Sequence, residues 1–554
     1  MEAVTSAGLE HLLVIRLSML REPQSEGPGG VPASSDTDGA APAQMKNIVR
    51  SLDASARRAI MELRQGDKVY GQWPFTARDL NVSFDPEALV GLQERFGGVL
   101  PALNGLAARG AQSLSSAFPT IVTLNRLDSL RQALSWDPSL PLVISKPLRM
   151  ALDVLDPDRR VVWLELAEPL GFLPLLPWER VLRPAVNAPI LRHSRKPLHG
   201  LRRPGTLDVL LACSSRTENQ VVPPKAMAAM CRQILAALPD SSRCVIHLFA
   251  DVVHRKGVEA ELKTSGLPFV HEGEPPSGRG VVLYRYPSHK DPVSMTLEGE
   301  GHTQTIWERP WAAWIKRCLA DRAVDVVHIV TEACFSGLQP VLEITATPWE
   351  APQPVARKWL LLSQSRVQLR YVDALLASDL ATGLGAWGIV FGAPNSDSRR
   401  PQRALMHQAS GLFPGVFAVH DLSQDSAATA CADLYRFLTG PAESDAGTPF
   451  IPDRPELVLQ CHPAILQAQL NNDRIKETFG EDFAHAVQLL KAQMQKRGSV
   501  PAWAAALQRQ IELSASTLLS SNPLTERDKA ARSGVTNALT VAMVSLAMRM
   551  KSDE

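Results

Sequence analysis

The sequence lacks the long apolar runs, the charge imbalance and the cysteine density that mark several classes of protein. None of its 554 residues lies in a run of roughly 18 uninterrupted apolar residues, the length that a membrane-spanning helix needs. Lysine and arginine (58) balance aspartate and glutamate (57), which argues against a coat for nucleic acid or anionic membrane. The seven cysteines are odd in number and scattered, unlike a disulfide framework. We therefore expect a cytoplasmic protein that contacts neither membrane nor nucleic acid directly.

Motifs of several common chemistries are also missing. The sequence contains no Gly-x-x-x-x-Gly-Lys-Ser/Thr, no Cys-x-x-Cys, no His-Glu-x-x-His and no Gly-x-Ser-x-Gly. A Gly-x-Gly-x-x-Gly pattern at Gly383, Gly385 and Gly388 precedes a predicted strand instead of opening a helix, which is the wrong context for dinucleotide binding. The sequence therefore predicts no cofactor and no metal.

The centre of the chain alternates short apolar runs with helical patterns. The predicted strands are Leu207–Cys213, Cys244–Ala250, Val324–Val330, Trp359–Ser363, Gly388–Phe391 and Gly415–Val419. Strands that are apolar throughout are typical of a sheet buried on both faces, and their alternation with helices predicts parallel crossovers. We expect an α/β domain over residues 136–440, with a mostly parallel sheet flanked by helices.

The regions on either side of this domain are predicted to be mostly helical. The N-terminal region, 1–135, combines a strand at 11–17 and a disordered loop at 22–44 with helices at 47–64, 86–109 and 124–135. Short strands are predicted at Leu142–Ile144 and Arg160–Leu166, and a long insertion at 267–300. A linker at 440–456 leads to a C-terminal helical region, 456–554, with helices at 461–472, 481–497, 501–520 and 524–550.

In a parallel α/β sheet, function gathers beyond the carboxyl ends of the strands. The predicted strands end in Thr331–Gly337, Ser363–Arg366, Gly392–Asp397 and His420–Asp421, and we expect these ends to meet at one cleft.

A loop at the same end of the sheet carries several arginines. Arg399, Arg400 and Arg403 predict a binding site for an acidic protein partner, with a solvated loop as the alternative. His328, inside an apolar strand, is expected to be a hydrogen-bonded core histidine.

The segment Leu173–Arg180, Leu-Pro-Leu-Leu-Pro-Trp-Glu-Arg, resembles the "PWE" element of CHAT domains, a caspase-like peptidase family of bacterial proteins. Later elements are similar in order. Val324–Ala333 resembles the family strand that carries the catalytic histidine, and Trp359–Arg366 resembles the strand that carries the nucleophilic cysteine. The resemblance covers about residues 140–440 and implies a caspase-like fold in a bacterial defence or signalling system.

The family positions carry different residues in this chain. Glu332 stands at the histidine position and Ser365 at the cysteine position. The family chemistry needs a thiolate activated by an imidazole, which a carboxylate and a hydroxyl replace poorly. The resemblance thus predicts an inactive relative that binds a peptide or a protein partner, the partner being encoded nearby.

Two alternatives remain open. Glu332–Gly337 also resembles the nucleophile loop of metacaspase-like enzymes, which makes Cys334 the nucleophile of an active cysteine endopeptidase. His302 is the formal base for that dyad, and His247 and His254 are further options. Cys334 can equally be a buried small apolar residue. In the other alternative, the protein is an assembly component whose helical ends dock a partner.

Overall fold

The structure is a computed structural model. It describes residues 12–20, 58–76, 78–81, 138–167, 170, 173–194, 206–214, 222–240, 242–271, 273, 275, 278–286, 310–320, 322–336, 339–345, 348, 369–395, 398–422, 427–439, 450–466, 476, 480–496, 501, 504–508, 511 and 526–552. The chain divides into two compact units, one formed by Leu12–Ile190 and one that contains the chain from Leu191 to Glu554. The boundary between these two units lies at residue 190, and the predicted domain limits at 135, 440 and 456 stay predictions.

The first unit is a small α/β structure. Its elements are β1 (Leu13–Met19), β2 (Arg58–Gln65), β3 (Lys68–Thr76), α1 (Leu142–Leu155), β4 (Val162–Ala167) and α2 (Trp178–Val186). The strands lie in the order β3-β2-β1-β4, with β1 antiparallel to β2 and parallel to β4. Their buried side chains pack with those of α1 and α2 in one apolar core. The strands predicted at 11–17 and Arg160–Leu166 are confirmed as β1 and β4.

Two predictions for this part of the chain are wrong. The described residues of the N-terminal region, 12–20, 58–76 and 78–81, are mostly strand, and the rest of the region that is predicted to be mostly helical lies outside the described residues. Residues 58–65, predicted as the end of a helix, form β2, because Ala59, Met61 and Leu63 are buried in alternation. Leu142–Ile144, predicted as a strand, opens α1. The predicted loop at 22–44 and the helices at 86–109 and 124–135 lie outside the described residues.

The second unit contains most of the predicted α/β core. Its strands are β5 (Ile190–His193), β6 (Thr206–Cys213), β7 (Arg243–Ala250), β8 (Phe269–Val270), β9 (Arg279–Leu283), β10 (Val326–Val330), β11 (Glu332–Ser336), β12 (Gln339–Thr345), β13 (Leu369–Val372), β14 (Gly388–Ala393), β15 (Val416–Asp421) and β16 (Val458–Cys461). The larger sheet runs β5-β16-β15-β14-β10-β6-β7-β9-β8. Its registered pairs are parallel except β15 with β16. The mostly parallel α/β sheet is therefore confirmed.

The helices of this unit are α3 (Pro224–Ala236), α4 (Val252–Thr264), α5 (Pro310–Leu319), α6 (Ala374–Gly383), α7 (Arg399–Leu412), α8 (Ala427–Thr439), α9 (Glu481–Lys496) and α10 (Glu526–Ser552). Side chains of α5, α6 and α7 share one apolar core with the sheet. Val327 and Ile329 of β10 belong to that core, whereas His328 between them contacts Tyr435 of α8. Because successive strand residues point to opposite faces, α8 covers the other face of the sheet.

Most of the strands predicted for the second unit are present in the structure. The central strands are confirmed within a few residues, except Trp359–Ser363, which lies outside the described residues. The predicted insertion at 267–300 contains β8 and β9, so the sequence missed two strands of the main sheet. Residue 461 ends β16 instead of opening a helix. α9 and α10 confirm the helices predicted at 481–497 and 524–550, whereas most of the helix predicted at 501–520 lies outside the described residues. Within the described part of the chain, no helix has the length and apolarity to cross a membrane.

A separate antiparallel sheet, β11-β12-β13, follows β10 after the single residue Thr331. β12 runs antiparallel to β11, and Glu332 of β11 lies opposite Glu343 of β12. The hydroxyl of Thr331 donates a hydrogen bond to the carbonyl oxygen of Glu343. The small sheet therefore starts at the carboxyl end of the central strand, where function was expected.

Candidate functional site

Glu332, at the family's histidine position, is buried in a structural network. Its Oε1 accepts a hydrogen bond of 3.0 Å from Nδ2 of Asn395. Asn395 Oδ1 in turn accepts from the backbone N–H (2.9 Å) and the hydroxyl (2.8 Å) of Ser398. Ser398 Oγ accepts the N–H of Ala333 at 3.2 Å. This chain of bonds ties β11 to the start of α7. Ser365 lies outside the described residues, so the pair it was predicted to form is not tested.

Cys334, the alternative nucleophile, lies half-buried on β11 opposite Val341 of β12. Its formal base, His302, lies outside the described residues. Of the further options, His247 is fully buried in β7, where its Nδ1 lies 3.0 Å from the Tyr284 hydroxyl. The structure therefore leaves the Cys334–His302 dyad untested.

The arginines predicted in a partner-binding loop begin helix α7 instead. Nη2 of Arg399 lies 2.9 Å from Oδ2 of Asp421, a fully buried carboxylate at the end of β15. Arg403 is only 7% exposed. Arg400 is half-exposed. Arg399 is therefore paired with a buried carboxylate and Arg403 is buried, and the binding of an acidic partner by these arginines stays a prediction.

A cluster that the sequence did not predict lies at the carboxyl ends of β6 and β7. These strands are parallel neighbours, and Cys213 lies opposite Ala250, so both strands end at the same level. Asp251 follows directly and caps the N-terminus of α4, its Oδ1 accepting the N–H groups of Val253 and His254. The same oxygen lies 2.6 Å from Nδ1 of His254.

The imidazole of His254 is held at both nitrogens. In the neutral ring, Nε2 accepts the N–H of Val222 at 3.1 Å and Nδ1 donates its hydrogen to Asp251. Burial lowers the pKa of His254, but interactions with Cys213 and Asp251 outweigh it and raise the pKa to about 10. A thiol, an imidazole and a carboxylate thus meet at one strand end, which is the set of groups that nucleophilic catalysis uses.

The signal for this cluster is present in the sequence but spread along it. Cys213 ends the first core strand, and Asp251-x-x-His254 follows the second. Nothing in the sequence says that these two strands are neighbours in the sheet, and the sequence offers His254 only as an alternative base for Cys334.

A second buried histidine cluster lies inside the sheet. Nε2 of His328 on β10 lies 2.8 Å from Nε2 of His420 on β15, and Tyr435 OH lies 3.1 Å from Nδ1 of His328. The strand between them, β14, presents Gly392, where a Cβ would come within 3.4 Å of both Nε2 atoms. Burial lowers the pKa of both histidines, that of His420 to about 4. The prediction that His328 is a hydrogen-bonded core histidine is confirmed.

Comparisons with known proteins add no assignment to this geometry. No protein-family model, no curated protein and no solved structure matches the chain. Among the residues that the structure describes, no three His, Cys, Asp or Glu side chains are grouped so as to hold a metal ion.

Proposed function

We propose that the protein is a caspase-like thiol hydrolase that acts on a protein partner, with Cys213 as nucleophile, His254 as base and Asp251 as the orienting carboxylate. The observation that carries the proposal is the meeting of these three side chains at the carboxyl ends of neighbouring strands. Active sites of parallel α/β sheets form at this edge. The proposal retains the cysteine-peptidase hypothesis and moves the nucleophile from Cys334 to Cys213.

The reaction follows from the roles of the three groups. His254 takes the thiol proton, and the Cys213 thiolate attacks the carbonyl carbon of a peptide bond to form a carbon–sulfur bond. The carbon–nitrogen bond breaks as His254 returns the proton to the leaving amine. Water then attacks the thioester, which releases the carboxylic acid and restores the thiol. Asp251 stays ionised and keeps the imidazole in its orientation.

The order of these residues departs from the family that the sequence resembles. There, the strand with the histidine precedes the strand with the cysteine, whereas Cys213 precedes His254 here. Catalytic triads are recognised by geometry and by the roles of their groups, since the same arrangement recurs in several chain orders. The departure therefore argues against the family's own dyad but not against thiol chemistry.

A peptidyl fluoromethyl ketone, which alkylates activated thiols, tests the proposal on the full-length protein. We expect labelling at Cys213, its loss in Cys213→Ala, and a reduction of about 100-fold or more in His254→Gln. The half-buried Cys318 provides a control through Cys318→Ala, which should label as the wild type does. Loss of labelling in Cys334→Ala, with Cys213→Ala still labelled, would show that the nucleophile is Cys334.

A second candidate function is binding of a peptide or protein partner without catalysis. Two observations favour it: Glu332 is committed to the network with Asn395, and Cys213 is fully buried. Co-expression with the product of a neighbouring gene separates the two functions. Capture of an intact partner by both wild type and Cys213→Ala would support binding alone, whereas cleavage that is lost in Cys213→Ala supports the hydrolase.

A further inference from the structure

One helix of the first unit carries large apolar side chains that face solvent. Ile144, Leu148 and Leu152 of α1 pack into the apolar core of that unit. Four other large apolar side chains of the same helix are exposed: Leu142 (82%), Val143 (78%), Met150 (61%) and Val154 (84%). Apolar side chains that gather on one exposed surface mark a place where another surface docks.

The exposed side chains follow a regular spacing along the helix. Val143, Pro147, Met150 and Val154 are all exposed, and they succeed one another at intervals of four, three and four residues. We call these four residues the α1 stripe. A helix presents apolar side chains to a second helix at this spacing in a coiled coil. The α1 stripe therefore fits a helix as its occupant.

The spacing of the α1 stripe is the same in both directions along the helix. A second α1 that runs antiparallel would place Val143 opposite Val154 and Pro147 opposite Met150, with each contact made twice. Two-fold symmetry is the commonest symmetry of protein dimers, and it requires a patch that is complementary to itself. The α1 stripe has this property.

Two charges beside the α1 stripe favour the antiparallel arrangement. Lys146 and Asp153 are both exposed, and they lie on the same flank of the helix because seven residues make about two turns. In an antiparallel pair, Lys146 of each copy faces Asp153 of the other, so that opposite charges meet twice. In a parallel pair, Lys146 would face Ala151 instead. The charges therefore complement a second copy in the antiparallel orientation.

The carboxylate of Asp153 is held in place and is still accessible. Its Oδ1 lies 2.9 Å from Nη1 of Arg159, whose side chain is 4% exposed, whereas 55% of the Asp153 side chain is exposed. The helix is held as well, since Nη2 of Arg149 donates a hydrogen bond to the carbonyl oxygen of Pro184 in α2. A charge that is already fixed loses less conformational freedom when a partner binds.

We propose that the α1 stripe is the contact surface of a homodimer, in which the α1 helices of two copies pack antiparallel about a two-fold axis. The inference goes beyond the proposed function and does not depend on it, since α1 belongs to the first unit and Cys213 to the second. Only four layers of paired side chains form the contact, so its area falls at the small end of specific interfaces. We therefore expect a dissociation constant of about 1–100 μM.

Sedimentation velocity of the full-length protein over a series of concentrations measures this dimer. Met150→Lys should raise the dissociation constant at least tenfold, by about one power of ten or more, because it places a charge from each copy among apolar side chains. Met548→Lys is the matched control, since Met548 is 57% exposed on α10 and lies outside the α1 stripe. This variant should form the dimer as the wild type does.

Two results of that experiment would overturn the proposal. One is a wild type that stays monomeric at every concentration, which would assign the exposed face to another protein or to another segment of this chain. The other is a dimer that Met150→Lys leaves as tight as the wild type.

A charge exchange tests the antiparallel arrangement itself. In Lys146→Glu alone and in Asp153→Lys alone, like charges face each other twice, and each variant should raise the dissociation constant by about three- to tenfold. In an equimolar mixture of the two variants, every facing pair of the mixed dimer again has opposite charges, so dimerisation should return to the wild-type level. Circular dichroism of each variant checks that the helices remain folded. A mixture that dimerises no more tightly than either variant alone contradicts the two-fold arrangement.

Discussion

Two buried histidine clusters in the second unit have pKa values that shift in opposite directions. Burial lowers the pKa of His254, His328 and His420 alike. Cys213 and Asp251 overcome that effect at His254. At His420 burial outweighs the opposing effect of Asp421, and at His328 the neighbouring His420 lowers the pKa further. The contrast shows that burial alone does not set the pKa of a histidine. The charge of the groups that contact the imidazole decides whether the pKa rises or falls.

The positions of the two clusters differ in a way that matches their chemistry. His254 stands at the carboxyl end of neighbouring strands, beside a thiol. His328 and His420 lie within the sheet, in contact across Gly392 and beneath Tyr435. The first cluster lies at the edge where active sites of parallel α/β sheets form. The second links three neighbouring strands.

Acidification should give the largest difference between the two clusters, because it should lower the free energy of unfolding through the His328–His420 cluster. Because burial lowers the pKa of His420 from its usual 6.5 to about 4, the unfolded chain binds a proton in this range that the folded chain does not. Above pH 6.5, His420 is neutral in both states and does not affect the pH dependence of the free energy of unfolding. As the pH falls from 6.5 to 4, this free energy should decrease by about 3 kcal/mol. Urea unfolding across this pH range measures the decline.

The comparison needs a variant without the titrating group. His420→Asn should be less stable at neutral pH, and its stability should fall less steeply with acid than that of the wild type. The same slope in both proteins would mean that the histidine pair is not the source of the acid sensitivity.

Loss of the carboxylate beside His254 should have the next largest effect. Asp251 accepts two backbone N–H groups of α4 and the imidazole, whereas Asp373, which caps α6, accepts the N–H of Leu376. We expect Asp251→Ala to lower the free energy of unfolding by about 2–3 kcal/mol and Asp373→Ala by about 1 kcal/mol. Chemical denaturation of both variants at neutral pH compares them.

The same substitution also tests the electrostatic difference between the clusters. In Asp251→Asn, which keeps a capping oxygen, the pKa of His254 should fall below about 10, since the contribution of the Asp251 charge is gone while that of Cys213 remains. NMR titration of the imidazole would show this; a pKa that stays near 10 would mean that Asp251 does not set it.

Gly392→Ala should produce the smallest of these effects, confined to the second cluster. A Cβ there would lie 3.0 Å from Cγ2 of Val330 and 3.4 Å from Nε2 of both histidines. We expect a loss of about 1–2 kcal/mol from crowding. Gly411→Ala is the matched control, because a Cβ at this helical position meets open space and should stabilise α7 by about 0.5 kcal/mol. Equal stabilities in thermal unfolding would contradict the close contact across Gly392.

Local pattern was enough to predict much of the second unit. Val326–Val330 is apolar throughout and forms a strand buried on both faces, as expected. The prediction failed where the apolar residues fit both a helical and a strand spacing. Residues 58–65 fit the helical spacing approximately but the alternation of a strand fully, and they form a strand. It also failed at Arg279–Leu283, a short strand set among glycines and prolines.

The sequence by itself determined which segments become buried strands and which become helices in the core, because apolar periodicity and side-chain volume act locally. It also determined that Cys213 and Asp251-x-x-His254 end two such strands. Only the tertiary structure decided that these strands are neighbours and that His328 meets His420 over Gly392. Pairing of distant strands depends on the packing of the whole sheet, which no window of the sequence contains.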